Sequence, residues 1–274
     1  MEKAFYFENE GKRLFAILHN PKNSRERKGI IFCHPYGDEK QQSYRVLVKF
    51  ARELCDKGFY VLRFDCFGYG DSQGDFEDAT VETQIADTIK AIDLLKTQLN
   101  IEKISLLGLR FGGTVAALAA ERDNRIEKLI LWSPIINGKD YLDELFRKVV
   151  MSKLFNKLSP TSREKIIEEL QSKGLVDIEG HYLTRQVYEQ LLEICLITKA
   201  KVSNFRGSVL ICTIKSRPRL YRSYETLLEA YKMKETLCEM KIVNDKVFWD
   251  SQFLYEWYFP VQLYTETLKC ITEN

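Results

Sequence analysis

The chain has 274 residues, of which 45% are hydrophobic, and its 41 Lys and Arg against 39 Asp and Glu give a formal net charge of +2 at pH 7. This balance excludes a disordered, collagen-like or disulfide-scaffold protein, and it gives no charge-based reason to expect nucleic acid or a membrane surface as a partner. The length fits two domains, or one α/β unit with an inserted subdomain.

The seven Cys are odd in number and include no C-x-x-C pair, which favours reduced thiols. The N-terminus carries charged residues where a signal peptide would be apolar, and no run approaches 18 apolar residues. We therefore expect a cytoplasmic protein without a membrane span.

Through the first half, short apolar runs alternate with longer amphipathic ones, which is typical of a mainly parallel sheet with helical crossovers. An opening hairpin is expected from the runs at 5–7 and 14–18, which flank Asn9-Glu10-Gly11. The further predicted elements are, in order, strand 29–33, helix 44–57, strand 59–64, helix 81–99, strand 103–107, helix 111–120 and strand 127–132.

The strand rhythm disappears between residues 133 and 206, where helices are predicted around 141–155, 162–172 and 184–197. Strands return at 208–213 and 237–243, with a helix near 221–232 between them and a last helix from about 253 to 270. The predicted organisation is thus an α/β core of residues 1–132 and 207–274 and a helical cap of residues 133–206.

The predicted strand 103–107 runs into Gly108-Leu109-Arg110-Phe111-Gly112 and then into a helix. This is the context of a nucleophile elbow, Gly-x-Ser-x-Gly, in which the sharp strand-to-helix turn needs small residues on both sides. The two glycines fit that demand, but Arg110 stands where the motif has its serine.

Further motifs accompany the elbow: His34-Pro35-Tyr36-Gly37, the loop Asp65-x-x-Gly68-x-Gly70-x-Ser72, and Ser133-Pro134 after a strand. With them the chain resembles the α/β-hydrolase superfamily over nearly its whole length, and within it the serine aminopeptidase-like hydrolases. More narrowly, it is similar to exosortase-system-associated hydrolase-like proteins, whose elbow also reads Gly-Leu-Arg. The resemblance implies an α/β-hydrolase fold, with a mainly parallel sheet, helices on both faces and an inserted helical cap.

In the superfamily the acid follows the next-to-last strand and the histidine follows the last one. No carboxylate occurs after the strand at 208–213 until Glu225, and Asn244-Asp245-Lys246 places Lys246 where the histidine is expected. No His lies beyond His181. The nucleophile, the acid and the base are therefore all missing from their expected positions, and no catalytic residue is assigned.

Two interpretations of Arg110 stay open, because a cation at a helix N-terminus needs a compensating negative charge. In the first, a protein carboxylate such as Asp38, Glu39 or Asp245 neutralises it. In the second, Arg110 forms a receptor for a carboxylate or phosphate together with backbone N–H groups of Phe111 and of the loop 34–37. The pocket candidates are Arg110, Phe111, His34, Tyr36, Gly37, Asp245 and Lys246.

Two functional hypotheses follow. The first is a non-hydrolytic binding or accessory protein for an anionic acyl or saccharide-pathway molecule. The second is an esterase, thioesterase or acyltransferase that uses an unusual residue, with His34 or a Cys in the active centre. No metal-ligand spacing and no nucleotide motif occurs, so we expect no cofactor and no nucleic-acid partner. Arg217, Arg219 and Arg222 form either a solvated helix start or an extension of a positive pocket, and the oligomeric state is not predicted.

Overall fold

The computed structural model of the chain describes residues 1–24, 26–214, 218–233, 236–250 and 258–272, without the side chains of 218–221. The strands are β1 (Glu2–Asn9), β2 (Lys12–His19), β3 (Lys28–Cys33), β4 (Tyr60–Phe64), β5 (Lys103–Leu109), β6 (Ile126–Trp132), β7 (Leu175–Ile178), β8 (His181–Thr184), β9 (Ser208–Ile214) and β10 (Cys238–Val243). The helices are α1 (Asp38–Asp56), α2 (Val81–Asp93), α3 (Phe111–Arg122), α4 (Gly138–Phe155), α5 (Arg163–Lys173), α6 (Arg185–Leu192), α7 (Leu196–Val202), α8 (Pro218–Lys232) and α9 (Val261–Thr272).

Eight strands form one sheet in the order β1-β2-β4-β3-β5-β6-β9-β10. The hairpin β1–β2 is antiparallel and joins β4 antiparallel, whereas every pair from β4 to β10 is parallel. The opening hairpin and the mainly parallel sheet are therefore both as the residue pattern predicts. Because the carboxyl ends of parallel strands share one edge, the loops after β3, β5, β6 and β10 converge there.

Helices cover both faces of the sheet. On one face α1 and α9 pack together, and Phe50 of α1 lies 4.4 Å from Tyr264 of α9 and 5.1 Å from Trp132, measured between ring centroids. On the other face lie α2, α3 and α8. Every residue of α3 from Phe111 to Ala120 is buried, which explains why this helix consists of small and apolar residues.

The segment between β6 and β9 contains α4 to α7, but it is not purely helical as predicted. Its residues 175–184 form the antiparallel hairpin β7–β8. Alternate residues Val176 and Ile178 point inward while Glu179 and Gly180 make the turn with positive φ angles of 54° and 92°. This two-residue alternation is a strand signal that the helical interpretation overlooked.

The predicted helix 184–197 is two helices, α6 and α7, separated where Gly138 N–H donates to the carbonyl of Ile194 at 3.0 Å. The predicted start of the last helix at 253 lies outside the described residues, and α9 begins at Val261. The division into a core and a separate cap domain stays a prediction. Within the ranges that the structure describes, none of the helices has both the length and the apolarity to cross a bilayer.

A buried polar network ties β2 to β4. His19 is 1% exposed, and its Nε2 accepts a hydrogen bond from Arg63 Nε at 3.0 Å. Its Nδ1 lies 3.6 Å from Glu2 Oε1. Burial and the nearby Arg63 guanidinium lower the pKa of His19 to about 4, despite Glu2. The neutral ring is therefore the form that the folded protein holds.

A histidine whose pKa is depressed by folding contributes stability that is present at neutral pH and is lost as the pH falls toward that pKa. His19→Gln keeps an acceptor for Arg63 and removes the titration. We expect the free energy of unfolding of the wild type to fall by about 2 kcal/mol more between pH 7 and pH 5 than that of His19→Gln. Urea unfolding at both pH values measures this difference, and equal losses would contradict a folded state that excludes the imidazolium.

Candidate functional site

The turn between β5 and α3 has the geometry of a nucleophile elbow. Arg110 stands alone between Leu109 and Phe111 with φ 53° and ψ −120°, a strained conformation that costs a non-glycine residue about 1–3 kcal/mol. A Cβ on Gly108 would lie 2.3 Å from the carbonyl oxygen of Gly112, and a Cβ on Gly112 would lie 2.1 Å from that of Cys33. Both glycines are thus required by close backbone approach, as the motif predicts.

The guanidinium of Arg110 is buried between two carboxylates. Its Nε donates to Glu39 Oε1 at 3.1 Å, and its Nη2 donates to Glu144 Oε1 at 2.6 Å. Arg110 is 6% exposed and Glu39 4%, so this pair is shielded from solvent. Lys148 Nζ lies 4.0 Å from Glu39 Oε1 on the other side. Of the three carboxylates that the sequence analysis proposes as counter-ions of Arg110, Glu39 is the one that pairs with it. Glu144 was not predicted.

The three residues of this cluster come from three elements: Glu39 from the first turn of α1, Arg110 from the elbow and Glu144 from α4. Gly37, with φ 56°, turns the chain into α1 two residues before Glu39. The ion pairs therefore link the carboxyl edge of the sheet to the segment between β6 and β9.

Aromatic rings complete the enclosure of the guanidinium. Its Cζ lies 5.8 Å from the ring centroid of Tyr141 and 5.7 Å from that of Trp249. Tyr141 in turn stacks on Phe111 at 6.0 Å with an interplanar angle of 4°. Trp249 comes from the segment after β10, where the superfamily resemblance places a histidine. Cation–π contacts in such a desolvated place add to the stability of a buried Arg.

The pKa values of the three groups in the cluster are shifted in different directions. Burial alone would lower the pKa of Arg110, but Glu39 and Glu144 raise it above its ordinary value. Burial opposes ionisation of Glu144, yet Arg110 keeps the pKa of that carboxyl below its usual range. Burial raises the pKa of Glu39 in spite of Arg110 and Lys148. Arg110 is consequently a permanent cation whose Nε and Nη2 both donate to carboxylates.

The loop after β3 supplies His34, Tyr36 and Gly37 near the elbow. Burial, with Lys40 nearby, lowers the pKa of His34 to about 3, and its buried Nδ1 has no hydrogen-bond partner. Tyr36 packs edge-on against Phe111 and donates its hydroxyl hydrogen to the carbonyl of Tyr182 at 3.1 Å. The loop therefore contacts the hairpin β7–β8, and its imidazole is a neutral, weak base.

Asp245 and Lys246 both form hydrogen bonds with residues at or just before the beginning of α9. Asp245 accepts hydrogen bonds from the Tyr258 hydroxyl and from the backbone N–H of Leu263, both at 2.7 Å. The N–H of Lys246 donates to the same tyrosine hydroxyl at 2.7 Å. The physical reason is that the first N–H groups of a helix need an acceptor, and Asp245 supplies it to α9 instead of pairing with Arg110.

The predicted basic cluster is only partly described. Arg222 is exposed on α8, which agrees with a solvated helix face. Arg217 lies outside the described residues, as does the side chain of Arg219.

A cleft of about 390 Å³ opens beside the loop after β3. Its walls include Gly37, Lys40, Tyr44, Tyr69, Phe76 and His181. The ammonium of Lys40 is paired with Asp65 Oδ1 at 2.6 Å, and the buried Nδ1 of His181 has no partner. The cleft is therefore mainly aromatic, with its cation compensated. Across the part of the chain described, no three His, Cys, Asp or Glu residues are grouped to hold a metal ion.

A family model described as serine aminopeptidase S33 matches residues 24–198. The chain is 28% identical over 124 residues to the uncharacterized protein YcjY of Escherichia coli, which covers 42% of this chain and 39% of YcjY. It is 30% identical over 112 residues to the human protein ABHD12B, which covers 39% of this chain and 30% of ABHD12B. The matched part thus spans less than half the length of either relative.

Among solved structures, Est1E from Butyrivibrio proteoclasticus with bound ferulic acid superposes with a TM-score of 0.70 at 22% identity. The match covers 98% of this chain and 100% of that chain. An α/β hydrolase, GrgF from Penicillium, superposes over 98% of this chain with a TM-score of 0.66 at 17% identity. The predicted α/β-hydrolase fold is thereby confirmed.

Two variants of Arg110 separate its charge from its backbone strain. Arg110→Ala leaves Glu39 buried without its main counter-ion, and we expect a loss of about 3–5 kcal/mol in the free energy of unfolding. Arg110→Gly loses the same ion pairs but relieves the positive φ, so we expect it to be more stable than Arg110→Ala by about 1 kcal/mol.

A double-mutant cycle of Arg110→Ala with Glu39→Gln, measured by chemical denaturation, gives the coupling between the two side chains. Because Glu39→Gln removes the charge that Arg110→Ala would leave unpaired, the double variant should lose less than the sum of the two single losses. Additive losses, or equal stabilities of Arg110→Ala and Arg110→Gly, would contradict this account of the elbow.

Proposed function

The chain belongs to the serine aminopeptidase S33 family within the α/β-hydrolase superfamily, and we propose that it is a non-hydrolytic member that acts as a binding or accessory protein. The observation that carries this proposal is the buried cluster Glu39–Arg110–Glu144 at the nucleophile elbow. A guanidinium is protonated at physiological pH and has no lone pair to attack an acyl carbon. In this proposal the elbow has a structural role, joining α1 to α4.

The environment of the three histidines supports the same proposal. His19 is bonded to Arg63 inside the sheet, and His34 has a pKa of about 3. His181 belongs to β8, and no hydroxyl or thiol of the described residues hydrogen-bonds to any of the three imidazoles. A Ser or Cys nucleophile needs a base within hydrogen-bonding distance, and none of these rings takes part in such a pair among the described residues.

Surrogate thiol nucleophiles are also disfavoured. Cys33 is buried, and burial raises the pKa of its thiol to about 12 in spite of a contact with Thr88. Burial likewise raises the pKa of Cys66 well above its ordinary value. The reactive form of cysteine is the thiolate, which these surroundings suppress. The alternative of an esterase, thioesterase or acyltransferase therefore rests on the hydrolase relatives rather than on a group in this site.

The pairing of Arg110 bears on the ligand as well. Glu39 and Glu144 already satisfy the cation, so an anion brought next to Arg110 would meet two carboxylates. We propose that a small-molecule ligand instead occupies the cleft of about 390 Å³ next to Gly37. Its aromatic walls suit a ligand with an apolar body, such as the acyl part of an acyl or saccharide-pathway molecule.

Purified protein should hydrolyse nitrophenyl esters no faster than a heat-inactivated sample and should not be labelled by a fluorophosphonate. Arg110→Ser should be equally inactive, because it restores a hydroxyl without a base or an acid. A serine hydrolase of the same fold, assayed in parallel, is the positive control. Turnover by the wild type that His34→Gln abolishes would establish the enzymatic alternative.

A thermal-shift titration with inorganic phosphate tests the anion-receptor interpretation of Arg110. We expect phosphate to raise the melting temperature of the wild type and of Arg110→Gly by the same amount, since Glu39 and Glu144 already compensate the charge of Arg110. A phosphate-dependent stabilisation present in the wild type and absent from Arg110→Gly would instead assign an anion site to the elbow.

A further inference from the structure

The end of α4 exposes four large apolar side chains. Met151 is 42% exposed, Leu154 64%, Phe155 76% and Leu158 59%. Isolated exposed apolar residues are ordinary, but four within eight residues form a contiguous patch, and such patches mark interaction sites. Residues 151, 154, 155 and 158 are called the α4 tip below.

The α4 tip is the outward continuation of a helix whose earlier turns are packed. Tyr141, Leu145, Phe146 and Val149 are buried in the core. Beyond Val149 the helix passes the edge of the core and ends at Phe155. The N–H of Leu158 then bonds back to the carbonyl of Lys153 at 3.0 Å. Spacing of i, i+3 and i+4 puts Met151, Leu154 and Phe155 on one face of the helix, and Leu158 follows in the turn after it.

Two lysines lie within this stretch of chain. Lys157 is exposed and Lys153 is half-exposed, and neither forms a salt bridge with a carboxylate among the residues that the structure covers, although Lys173 and, to a smaller extent, Lys153 lower the pKa of the nearby Glu169. The neighbouring Arg163 is paired with Asp143 at 2.8 Å. The α4 tip thus combines an apolar face with Lys153 and Lys157, neither of which forms a salt bridge among the described residues, although the whole chain carries only +2.

This combination of charges and apolar side chains indicates which kind of partner binds to the α4 tip. A helix end with Phe and Leu on one side and Lys beside them is suited to the boundary between headgroups and acyl chains of an anionic bilayer. Four side chains expose on the order of 400 Å² of apolar surface. A partner in a stable protein interface contributes about 800 Å², and lysine is depleted from such interfaces.

We propose that the α4 tip docks the protein on an anionic membrane surface, with Leu154 and Phe155 inserted among the lipids and Lys153 and Lys157 at the phosphate level. The attachment is peripheral and involves no spanning helix. It is independent of the proposed loss of hydrolysis, because the tip contains no residue of the elbow cluster.

Co-sedimentation with extruded vesicles tests the proposal. The protein should partition onto vesicles of phosphatidylcholine with 30% phosphatidylglycerol, and much less onto vesicles of phosphatidylcholine alone, with binding that weakens as salt rises. Leu154→Ser with Phe155→Ser should reduce the partition coefficient at least about tenfold. Lys153→Glu with Lys157→Glu should reduce it by a similar factor on the anionic vesicles.

Matched controls lie elsewhere on the surface. Val202 and Leu237 are 71% and 76% exposed, so Val202→Ser with Leu237→Ser removes comparable apolar surface outside the α4 tip. Lys3→Glu with Lys232→Glu makes the same change of net charge at exposed sites. All four double variants should keep the wild-type melting temperature, and the two controls should bind vesicles like the wild type.

Three results would overturn the proposal: no binding of the wild type to anionic vesicles, equal binding by the α4 tip variants, or equal loss in the controls. Sedimentation velocity of the same samples tests the alternative that a second copy of the chain binds to the α4 tip. A concentration-dependent dimer that Leu154→Ser with Phe155→Ser converts to monomer, without vesicle binding by the wild type, would assign the α4 tip to contact between two copies.

Discussion

The ion pairs of Arg110 are the interaction on which the carboxyl edge of the sheet depends. A guanidinium that is 6% exposed cannot be held in a protein interior without compensating charge. Glu39 and Glu144 supply that charge from opposite sides of the elbow. Because the two glutamates belong to different helices, satisfying one buried cation also sets how α1 and α4 sit relative to β5.

The elbow retains the strained backbone turn that presents the catalytic nucleophile in a nucleophile elbow. Arg110 keeps the positive φ, and Gly108 and Gly112 keep the close backbone approach that the strained turn needs. Strain of this kind persists only where surrounding structure enforces it. Here the enforcing contacts include the two glutamates and the rings of Tyr141 and Trp249. A turn that could present a nucleophile to solvent is thus filled and covered by side chains from three parts of the chain.

Features that depend on residues close together in the sequence could be predicted, whereas contacts between distant residues could not. The strand, the elbow and α3 were predicted correctly because glycine spacing and buried apolar runs are local signals. The hairpin β7–β8 was missed because its four-residue strands lie between helices and its alternation is brief. Glu144 was missed for a different reason: 34 residues separate it from Arg110, and no pattern in the sequence encodes such a contact. Asp245 was grouped with Arg110 by family position, whereas helix capping decides its contacts.

The net charge of the whole chain does not predict the local charge of a small surface such as the α4 tip. The value of +2 is a sum over the whole chain, whereas screening confines electrostatic attraction to about 8–10 Å at physiological salt. A bilayer touching α4 would sense Lys153 and Lys157 but not the acidic residues on distant helices. The same argument applies at the elbow, where the cationic residue singled out by the sequence is neutralised within 3.1 Å. Lys153 and Lys157, which form no salt bridge among the described residues, lie at the end of α4, which is also where the apolar side chains are left uncovered.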